Sequence, residues 1–352
     1  MSKKIKIGII GGSGCTGIEL IKILNRHRHS HVSFIASRSK YGKRLSEVFP
    51  SLKGEKCGAL EFKKVPAESD YANIDIIFLC LPPGCSMEHV KKMGIRTGCK
   101  IIDIGSDFRL KDPGEYKKWY GKEHILPELL GKFTYAIPEL HREEITGSSN
   151  VANPGCYPTS VMLGLAPLLK SKYQVESIVI DAKSGVSGAG KKLKEMYLFE
   201  NLNNNFYAYN ATGHRHIGEM EQAIVEIAGC RLKIDFTPHL LPVSRGIFST
   251  IYCKIDGSSG IGEDKHISVM YSEFYDKSIF VKYLGEVIPK MKHTIGTNLC
   301  LIGTVYDNRT STLKIFSTID NLLKGAAGQA VQNMNLMMGL DESEGLGFNS
   351  IF

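Results

Sequence analysis

Hydrophobic residues in the first half of the chain fall into blocks that predict alternating strands and helices. Residues 4–27 indicate a strand, a glycine turn and an amphipathic helix, since apolar residues recur at helical spacing after the turn. Apolar blocks at residues 31–37, 74–84 and 100–105 predict further strands, and residues 86–96 predict a helix before the last of them. The unbroken apolar run at 74–84 is typical of a parallel strand buried on both faces. This alternation predicts a doubly wound α/β domain.

The pattern changes after a turn at residues 153–155. An apolar run that follows Cys156 indicates a buried helix. Residues 176–192 predict a strand that enters a Gly/Ser loop, and longer segments at 233–255 and 298–321 predict more strands. Together they predict a mostly antiparallel sheet with helices, an α+β arrangement distinct from the first domain. A helix rich in small residues closes the chain.

Composition is typical of a globular protein. The 352 residues are 43% hydrophobic and 23% charged, and no apolar run reaches the length of a membrane span. The N-terminus lacks the apolar region of a signal peptide, so we expect a cytoplasmic protein. Nine cysteines occur without a CxxC pair, so we expect neither a disulfide framework nor a metal site. The net charge of +8 is spread along the chain, which favours an anionic small molecule over nucleic acid.

The glycine turn near the N-terminus has the GxGxxG pattern at Gly12, Gly14 and Gly17. Glycines in this pattern let backbone N–H groups approach a pyrophosphate, which rests on the N-terminus of the following helix. Because the turn lies between a predicted strand and a predicted helix, it favours dinucleotide binding. The predicted cofactor contacts in the turn are Gly12, Ser13, Gly14, Cys15, Thr16 and Gly17.

The residues after the second predicted strand favour NADP over NAD. An NAD enzyme usually carries an acidic residue about 20 positions past the glycines, where it binds the ribose hydroxyls. Here Ser37 occupies that position and Arg38 follows it. A cation in place of the acid favours the 2′-phosphate of NADP, and a solvated basic loop is the alternative interpretation. Leu81 and Pro82 follow the next strand at its carboxyl end, where ligands bind in open α/β sheets, so we expect them in the cofactor site.

Cys156 is the candidate nucleophile. It follows the turn Asn153-Pro154-Gly155 and stands where the buried helix begins. Unpaired N–H groups and the positive end of the helix dipole favour a thiolate at such a position, and the thiolate is the reactive form. The alternative role is that of a small buried hydrophobic residue.

Basic and histidine residues supply the remaining candidates. His214, Arg215 and His216 form one turn before a predicted helix, next to Glu219, and make a plausible general acid/base site. Their spacing does not match common zinc sites. Two arginines are candidate anion ligands: Arg109 lies beyond the carboxyl end of a strand, where a surface charge is the alternative, and Arg245 lies beside a glycine.

A nicotinamide domain joined to a domain with a cysteine at a helix start suggests one chemistry. The thiolate attacks an activated acyl group, expels its leaving group and holds the acyl as a thioester. NADPH then supplies hydride, and the product is an aldehyde.

Several motifs make the chain similar to the N-acetyl-gamma-glutamyl-phosphate reductase family, within the aspartate-semialdehyde dehydrogenase superfamily. They are GGSGCTG, LPPG, SDFRL, YAIPEL, NPGCYPT, AKSGVSGAGK, GHRH, FTPHLLPVSRGI and DNLLKGAAGQAVQNMN, in the family's order from residue 11 to beyond residue 330. The cysteine motif, PHLLPVSRGI and the last motif distinguish this family from aspartate-semialdehyde dehydrogenases. The segment HRHIGE departs from the family, which more often has proline before the glutamate.

The resemblance implies two domains and a homotetramer or homodimer. A Rossmann-type NADP-binding domain would span residues 1–152 and include a C-terminal helix within residues 321–352. An α+β catalytic and dimerisation domain, like the C-terminal domain of glyceraldehyde-phosphate dehydrogenase, would span residues 153–320. The implied reaction converts an acyl phosphate, N-acetyl-gamma-glutamyl phosphate, to N-acetylglutamate 5-semialdehyde and phosphate with NADPH, in arginine biosynthesis.

The resemblance also implies residue roles. Cys156 would be the nucleophile, His216 in preference to His214 the acid/base, and Arg109 the ligand of the substrate phosphate. Further substrate contacts are expected from Asn153, Arg215 and Arg245. Further cofactor contacts are expected from Ser187, Gly188 and Asn321.

Other functions remain open at this point. One is the related lysine-pathway enzyme, which acts on an aminoadipyl phosphate and differs by a single methylene in its substrate. Aspartate-semialdehyde dehydrogenase is another. A regulator that senses a nucleotide and has lost the reaction is the non-enzyme alternative, and Cys156, Arg109 and the two histidines argue against it.

Overall fold

The structure is a computed structural model. It describes residues 4–64, 66–95, 98–190, 195–256 and 264–347. These residues form two compact units, which divide between Pro154 and Gly155 and again between Gly325 and Ala326. The sequence analysis placed these limits after residues 152 and 320, and positions 348–352 of its C-terminal segment lie outside the described residues.

The helices and strands can be given in chain order. The helices are α1 Cys15–Arg26, α2 Leu45–Val48, α3 Glu68–Tyr71, α4 Cys85–Met93, α5 Pro113–Tyr120, α6 Arg142–Thr146, α7 Cys156–Leu169, α8 Phe199–Leu202, α9 His216–Ala228, α10 Asp264–Tyr275 and α11 Gly328–Met337. The strands are β1 Ile5–Ile10, β2 Ser30–Ala36, β3 Phe62–Lys63, β4 Ile76–Leu79, β5 Lys100–Asp103, β6 Thr134–Tyr135, β7 Asn150–Ala152, β8 Val175–Ser184, β9 Tyr207–Ala208, β10 Ile234–Leu240, β11 Ile247–Ile255, β12 Val281–Tyr283, β13 Cys300–Asp307 and β14 Thr312–Ile319. A π-helical turn, Leu323–Ala327, precedes α11.

The first unit is built on a seven-stranded parallel sheet in the order β3-β2-β1-β4-β5-β7-β6. β4 is buried along its whole length, as expected of a strand covered on both faces. On α1, Leu20, Ile21 and Leu24 form the buried stripe that packs toward β2. The predicted doubly wound architecture is confirmed.

Two boundaries in this unit differ from the sequence prediction for local reasons. β4 ends at Leu79, because Pro82 and Pro83 follow and proline lacks the N–H that a ladder needs. The predicted helix 86–96 ends at Met93, because Gly94 turns the chain with φ of 71°. Residue 96 of that prediction lies outside the described residues.

The second unit is built on a mixed seven-stranded sheet in the order β12-β13-β14-β11-β8-β10-β9. β8 pairs in parallel with β10, and β12 with β13, while the other neighbours are antiparallel. Inward residues such as Ile178 and Ile180 are buried, whereas Val179 between them is 42% exposed. One face of the sheet therefore packs against α7, and the predicted α+β arrangement is confirmed.

The helix α7 is buried along almost all of its length. Every residue after Cys156 is buried, as is typical of a helix that is apolar on all sides. Pro167 lies inside it and has no N–H for the carbonyl of Leu163, four residues earlier. The hydroxyl of Tyr275 donates to this carbonyl, and so satisfies the group that proline leaves without its helical donor.

A search of the described residues for a helix both long and apolar enough to cross a membrane finds none.

Candidate active site

The turn at residues 153–155 places Cys156 at the first position of α7. Gly155 is the N-cap residue, and its N–H donates to Oε1 of Glu219 on α9 at 2.7 Å. Cys156 keeps partial exposure while the rest of the helix is buried. A Cβ on Gly325 would lie 2.7 Å from the Cβ of Cys156, so the residue packed against the cysteine must be glycine.

The two predicted histidines lie against the same turn. His216 is the first residue of α9, and its ring centroid is 4.8 Å from that of His214. Both side chains are buried, and Arg215 between them is exposed. The ring of Tyr157, the residue after the cysteine, packs edge-on at 5.6 Å from His214 and 5.9 Å from His216. The structure thus brings the start of α7, with Cys156, and the histidine turn together within the second unit.

Burial sets the charge state of this cluster. It lowers the pKa of His214 to about 3, with help from the positive charge of Arg215, so this histidine is neutral near pH 7. Burial also raises the pKa of Tyr157 well above its ordinary value, and that of Tyr209 to about 12. The two hydroxyls are 3.1 Å apart. Both phenols therefore stay protonated beside the cysteine.

Glu219, which the sequence analysis noted beside the histidine turn, has a partner that sequence reasoning did not predict. It is completely buried, and it connects α9 to Gly155, the residue before Cys156. The sequence carried one usable signal, because an acid three residues after His216 lies one helical turn further along the same face.

Arg245 is fixed by a buried carboxylate. Its Nε lies 3.1 Å from Oδ2 of Asp320, and its Nη2 lies 3.3 Å from Oδ1. Asp320 is completely buried and also accepts the N–H groups of Gly296 and Leu322, both at 2.8 Å. Sequence reasoning missed this aspartate, which lies just past the end of β14.

Three predicted cofactor residues meet in the second unit. The side-chain amide of Asn321 donates to Oγ of Ser187 at 2.9 Å and accepts the N–H of Gly246 at 2.8 Å. A Cβ on the neighbouring Gly188 would lie 3.6 Å from the same amide. Asn321 therefore belongs to the second unit and not to the C-terminal segment that the sequence analysis assigned to the first domain.

The glycine turn in the first unit is shaped by close backbone packing. Gly11 has a φ of 86°, and a Cβ there would lie 2.2 Å from the carbonyl oxygen of Cys80. A Cβ on Gly17 would lie 2.7 Å from the carbonyl oxygen of Gly11, so α1 packs directly on the turn. A Cβ on Gly14 would meet nothing closer than 3.5 Å, and no side chain caps α1. The start of α1 thus leaves room for a group that approaches its N–H groups.

The residues expected to bind the ribose of the cofactor lie beside this turn. Oγ of Ser37 is 2.6 Å from Oγ of Ser13, which joins the end of β2 to the glycine turn. Arg38 is exposed immediately after this serine. Leu81 and Pro82 follow β4 at the same edge of the parallel sheet, and both retain exposure.

Arg109 is buried, and its guanidinium binds backbone carbonyls. Nε donates to the oxygen of Asn153 at 2.8 Å, and Nη2 donates to the oxygen of Ile104 at 3.0 Å. The side chain of Asn153 is also engaged, because its Oδ1 accepts from Asn333 at 3.0 Å and its Nδ2 donates to the carbonyl of Ala326 at 3.3 Å. These bonds hold the loops after β5 and β7 together.

Two buried acids near Arg109 were not found from the sequence. Asp107 caps α4, since its carboxylate accepts the N–H groups of Gly84 at 2.7 Å and Met87 at 3.0 Å. Burial and the charge of Asp107 raise the pKa of Asp103, which is completely buried.

Within the described part of the chain, no cluster of three or more histidine, cysteine and acidic residues could hold a metal ion.

Comparison with known proteins identifies the family. Residues 6–148 match a model described as the semialdehyde dehydrogenase NAD binding domain, and residues 156–321 match the semialdehyde dehydrogenase dimerisation domain. N-acetyl-gamma-glutamyl-phosphate reductase of Alkaliphilus metalliredigens is 46% identical over 97% of this chain and 98% of the relative. That of Citrifermentans bemidjiense is 46% identical over 99% of each chain. The chain belongs to the N-acetyl-gamma-glutamyl-phosphate reductase family.

Solved structures with the same fold are more distant in sequence. Aspartate semialdehyde dehydrogenase II of Vibrio cholerae has a TM-score of 0.73 at 17% identity, over 96% of this chain and 99% of its own. The Candida albicans aspartate semialdehyde dehydrogenase, solved with NADP, has a TM-score of 0.71 at 12% identity, over 96% of this chain and 99% of its own. At this identity the likeness concerns the fold alone.

Proposed function

We propose that the protein reduces N-acetyl-gamma-glutamyl phosphate to N-acetylglutamate 5-semialdehyde, with NADPH as reductant and with release of phosphate. The observation that carries the proposal is the contact between two turns of the second unit. Gly155, before Cys156, donates to Glu219, and Tyr157, after it, packs against His216. In this proposal Cys156 is the nucleophile and His216 is the acid/base, and these two residues begin neighbouring helices. The names of the curated relatives support this substrate.

The reaction begins at Cys156. Its thiolate attacks the carbonyl carbon of the acyl phosphate, the bond from that carbon to the phosphate oxygen breaks, and phosphate leaves with the electron pair. The acyl group is then a thioester on the sulfur. His216 exchanges a proton with the substrate oxygen as the tetrahedral species form and collapse. Collapse of the last of them returns the thiolate and releases the aldehyde.

The cofactor in this proposal is NADP(H), which supplies the hydride when bound. The glycine turn fits a pyrophosphate, because the start of α1 has no side-chain cap and a Cβ on Gly14 would have no close neighbour. Arg38 would bind the 2′-phosphate. The other residues proposed to hold the cofactor are Gly12, Ser13, Cys15, Thr16, Gly17, Ser37, Leu81, Pro82, Ser187, Gly188 and Asn321.

A reverse assay tests the reaction without the unstable acyl phosphate. The purified protein is mixed with N-acetylglutamate 5-semialdehyde, NADP⁺ and inorganic phosphate, and the formation of NADPH is followed. We expect reduction that requires phosphate, because phosphate must attack the thioester to complete the turnover. Aminoadipate and aspartate semialdehydes serve as matched controls. Equal or greater rates with either of them, or no rate with any, would contradict the proposed substrate.

Arg109 is proposed to bind the transferred phosphate, and its buried backbone contacts offer a competing structural role. We expect Arg109→Lys to raise the KM for phosphate about ten- to a hundredfold, because lysine cannot reproduce a two-bond fork worth on the order of 1.5–3 kcal/mol. The KM for NADP⁺ should stay unchanged. A lower melting temperature with a normal KM for phosphate would instead make Arg109 a loop anchor and shift the phosphate role to Arg245.

We also propose that two or more copies associate through the open face of the second sheet. Val179 and Tyr252 are paired across β8 and β11 on this face and are 42% and 36% exposed. The matched model for this unit is a dimerisation domain, which supports a second copy as the occupant. Light scattering should find a dimer or tetramer, and Val179→Glu should reduce its mass. A monomeric wild-type protein would contradict the assembly.

The cytoplasmic location expected from the sequence belongs to the same proposal. The reaction requires Cys156 as a thiolate, and the cytoplasm keeps thiols reduced.

A further inference from the structure

The first N–H group of α9 has an acceptor that comes from outside the helix. A helix leaves its first N–H groups without intrahelical partners, and Arg215, at the N-cap position, makes no capping hydrogen bond through its side chain. The N–H of His216 donates instead to Nδ1 of His214 at 3.2 Å. The imidazole of His214 therefore holds the backbone of the residue proposed as the acid/base.

This bond defines the protonation of His214. Nδ1 can accept a hydrogen bond only when it carries no proton, so the ring proton is on Nε2 and the imidazole is neutral. Burial and the charge of Arg215 act in the same direction. A ring in this state cannot pick up a proton near neutral pH and still hold His216.

Aromatic side chains hold the ring of His214 in place. Tyr157 from α7 packs edge-on at 5.6 Å, Tyr209 from the loop before the histidine turn at 5.9 Å, and Phe236 from β10 at 5.4 Å. Such contacts between aromatic rings restrict rotation of the imidazole. Its titratable neighbours include the phenols of Tyr157 and Tyr209, which stay protonated, and Arg215 and His216 on its own turn.

We propose that His214 is a positioning residue, which fixes the start of α9 and thereby His216, and that it takes no part in proton transfer. The inference rests on the proposed function, in which His216 exchanges the proton. It divides the work of the two histidines: His216 acts on the substrate, whereas His214 acts on His216. A general acid/base must gain and lose a proton near the working pH. His214 stays neutral there and keeps its single ring proton on Nε2.

Two variants of His214 separate positioning from proton transfer. In His214→Asn the side-chain oxygen stands near the place of Nδ1 and can still accept the N–H of His216, whereas His214→Leu offers no acceptor. We expect His214→Asn to keep kcat within about tenfold of the wild type with the same pH profile. His214→Leu should lower kcat on the order of a hundredfold, as expected when a catalytic group is misplaced by about 1 Å. His216→Asn should remove the limb of the pH profile that His216 controls.

Two kinetic outcomes would overturn the inference. Equal loss of rate and of the same pH limb in His214→Asn and His216→Asn would make His214 the acid/base. Wild-type kcat and pH profile in His214→Leu, with an unchanged melting temperature, would remove its positioning role.

A second measurement does not depend on the substrate. Nitrogen chemical shifts of histidine side chains in the wild-type protein should show His214 neutral, with its proton on Nε2, between about pH 5 and 9. A charged His214 at pH 6 would overturn the inference even if the reductase assay succeeds. A wild-type protein without reductase activity would instead defeat the proposed function, while the spectrum would still report on His214.

Discussion

Two helices of this protein begin with the same pair of residue types, a glycine and then a cysteine, and differ in what packs against them. α4 begins with Cys85 after Gly84, and α7 begins with Cys156 after Gly155. In both, a buried carboxylate accepts the N–H of the glycine at 2.7 Å. At α4 the carboxylate is Asp107, which also accepts the N–H of Met87 and so caps the helix.

The difference lies in the origin of the carboxylate. At α7 it is Glu219, which comes from α9 and brings the histidine turn of that helix with it. α7 is also buried along its length, whereas α4 is amphipathic and buries only part of its surface. A glycine and a cysteine at a helix start therefore occur in two different environments. We predict that the packing of α9 beside Cys156 makes this cysteine the reactive one.

The comparison predicts its largest effect at the two cysteines. Cys156→Ser should abolish turnover, because a serine hydroxyl does not ionise near neutral pH and so supplies no thiolate equivalent. Cys85→Ser should leave the reverse assay near the wild-type rate. Iodoacetamide should inactivate the wild type and modify Cys156 first, as peptide mass spectrometry can determine. Full activity after complete alkylation of Cys156 would contradict the thioester mechanism.

The next largest effect is expected at the two carboxylates, Glu219 and Asp107. Glu219→Ala removes the acceptor for the N–H of Gly155, next to the proposed nucleophile Cys156, and we expect kcat to fall on the order of a hundredfold. Glu219→Gln keeps an oxygen acceptor and should recover most of this loss. Asp107→Ala removes the cap of α4 and should cost about 0.5–2 kcal/mol in the free energy of unfolding, measured by urea denaturation. A loss of stability without a change in kcat in Glu219→Ala would make the two helix starts equivalent.

A third helix, α1, begins with Cys15 after Gly14 and extends the comparison to the cofactor. Arg38, which follows β2 beside the start of this helix, is the residue expected to bind the 2′-phosphate, and Arg38→Ala tests that role. We expect the KM for NADPH to rise roughly ten- to a hundredfold and that for NADH to change little, because a charge-assisted contact with phosphate is worth about 1.5–3 kcal/mol. Steady-state kinetics with both cofactors make the comparison. An equal rise for both would show that Arg38 does not distinguish them.

The smallest effect on activity is expected inside α7. Tyr275→Phe leaves the carbonyl of Leu163 without its hydroxyl donor, at a cost of about 1–3 kcal/mol in the free energy of unfolding. Tyr271→Phe is the matched control. Its hydroxyl donates to the carbonyl of Gly164 at 2.8 Å, and the N–H of Leu168 is available to that carbonyl within the helix. Equal losses in urea denaturation would show that Pro167 creates no special need for Tyr275.

Short-range features were readable from the sequence. The GxGxxG turn, the apolar run of β4 and the apolar helix after Cys156 depend on backbone conformation and on burial periodicity, which neighbouring residues determine. Family motifs spread along the chain added the expected order of the two domains. Element ends were less exact, because they depend on single residues such as Gly94.

Tertiary structure alone decided which side chains touch. Glu219 and Gly155 are 64 positions apart, and Arg245 and Asp320 are 75 positions apart, so no local pattern links either pair. The same holds for the aromatic side chains around His214, which come from α7, β10 and a loop. The sequence by itself determined that a cysteine would begin a buried helix and that two histidines would lie just before another, which in the structure begins at His216. Packing of α7 against α9 decided that these two starts meet, because contact between distant segments depends on how whole helices pack and not on the residues next to them.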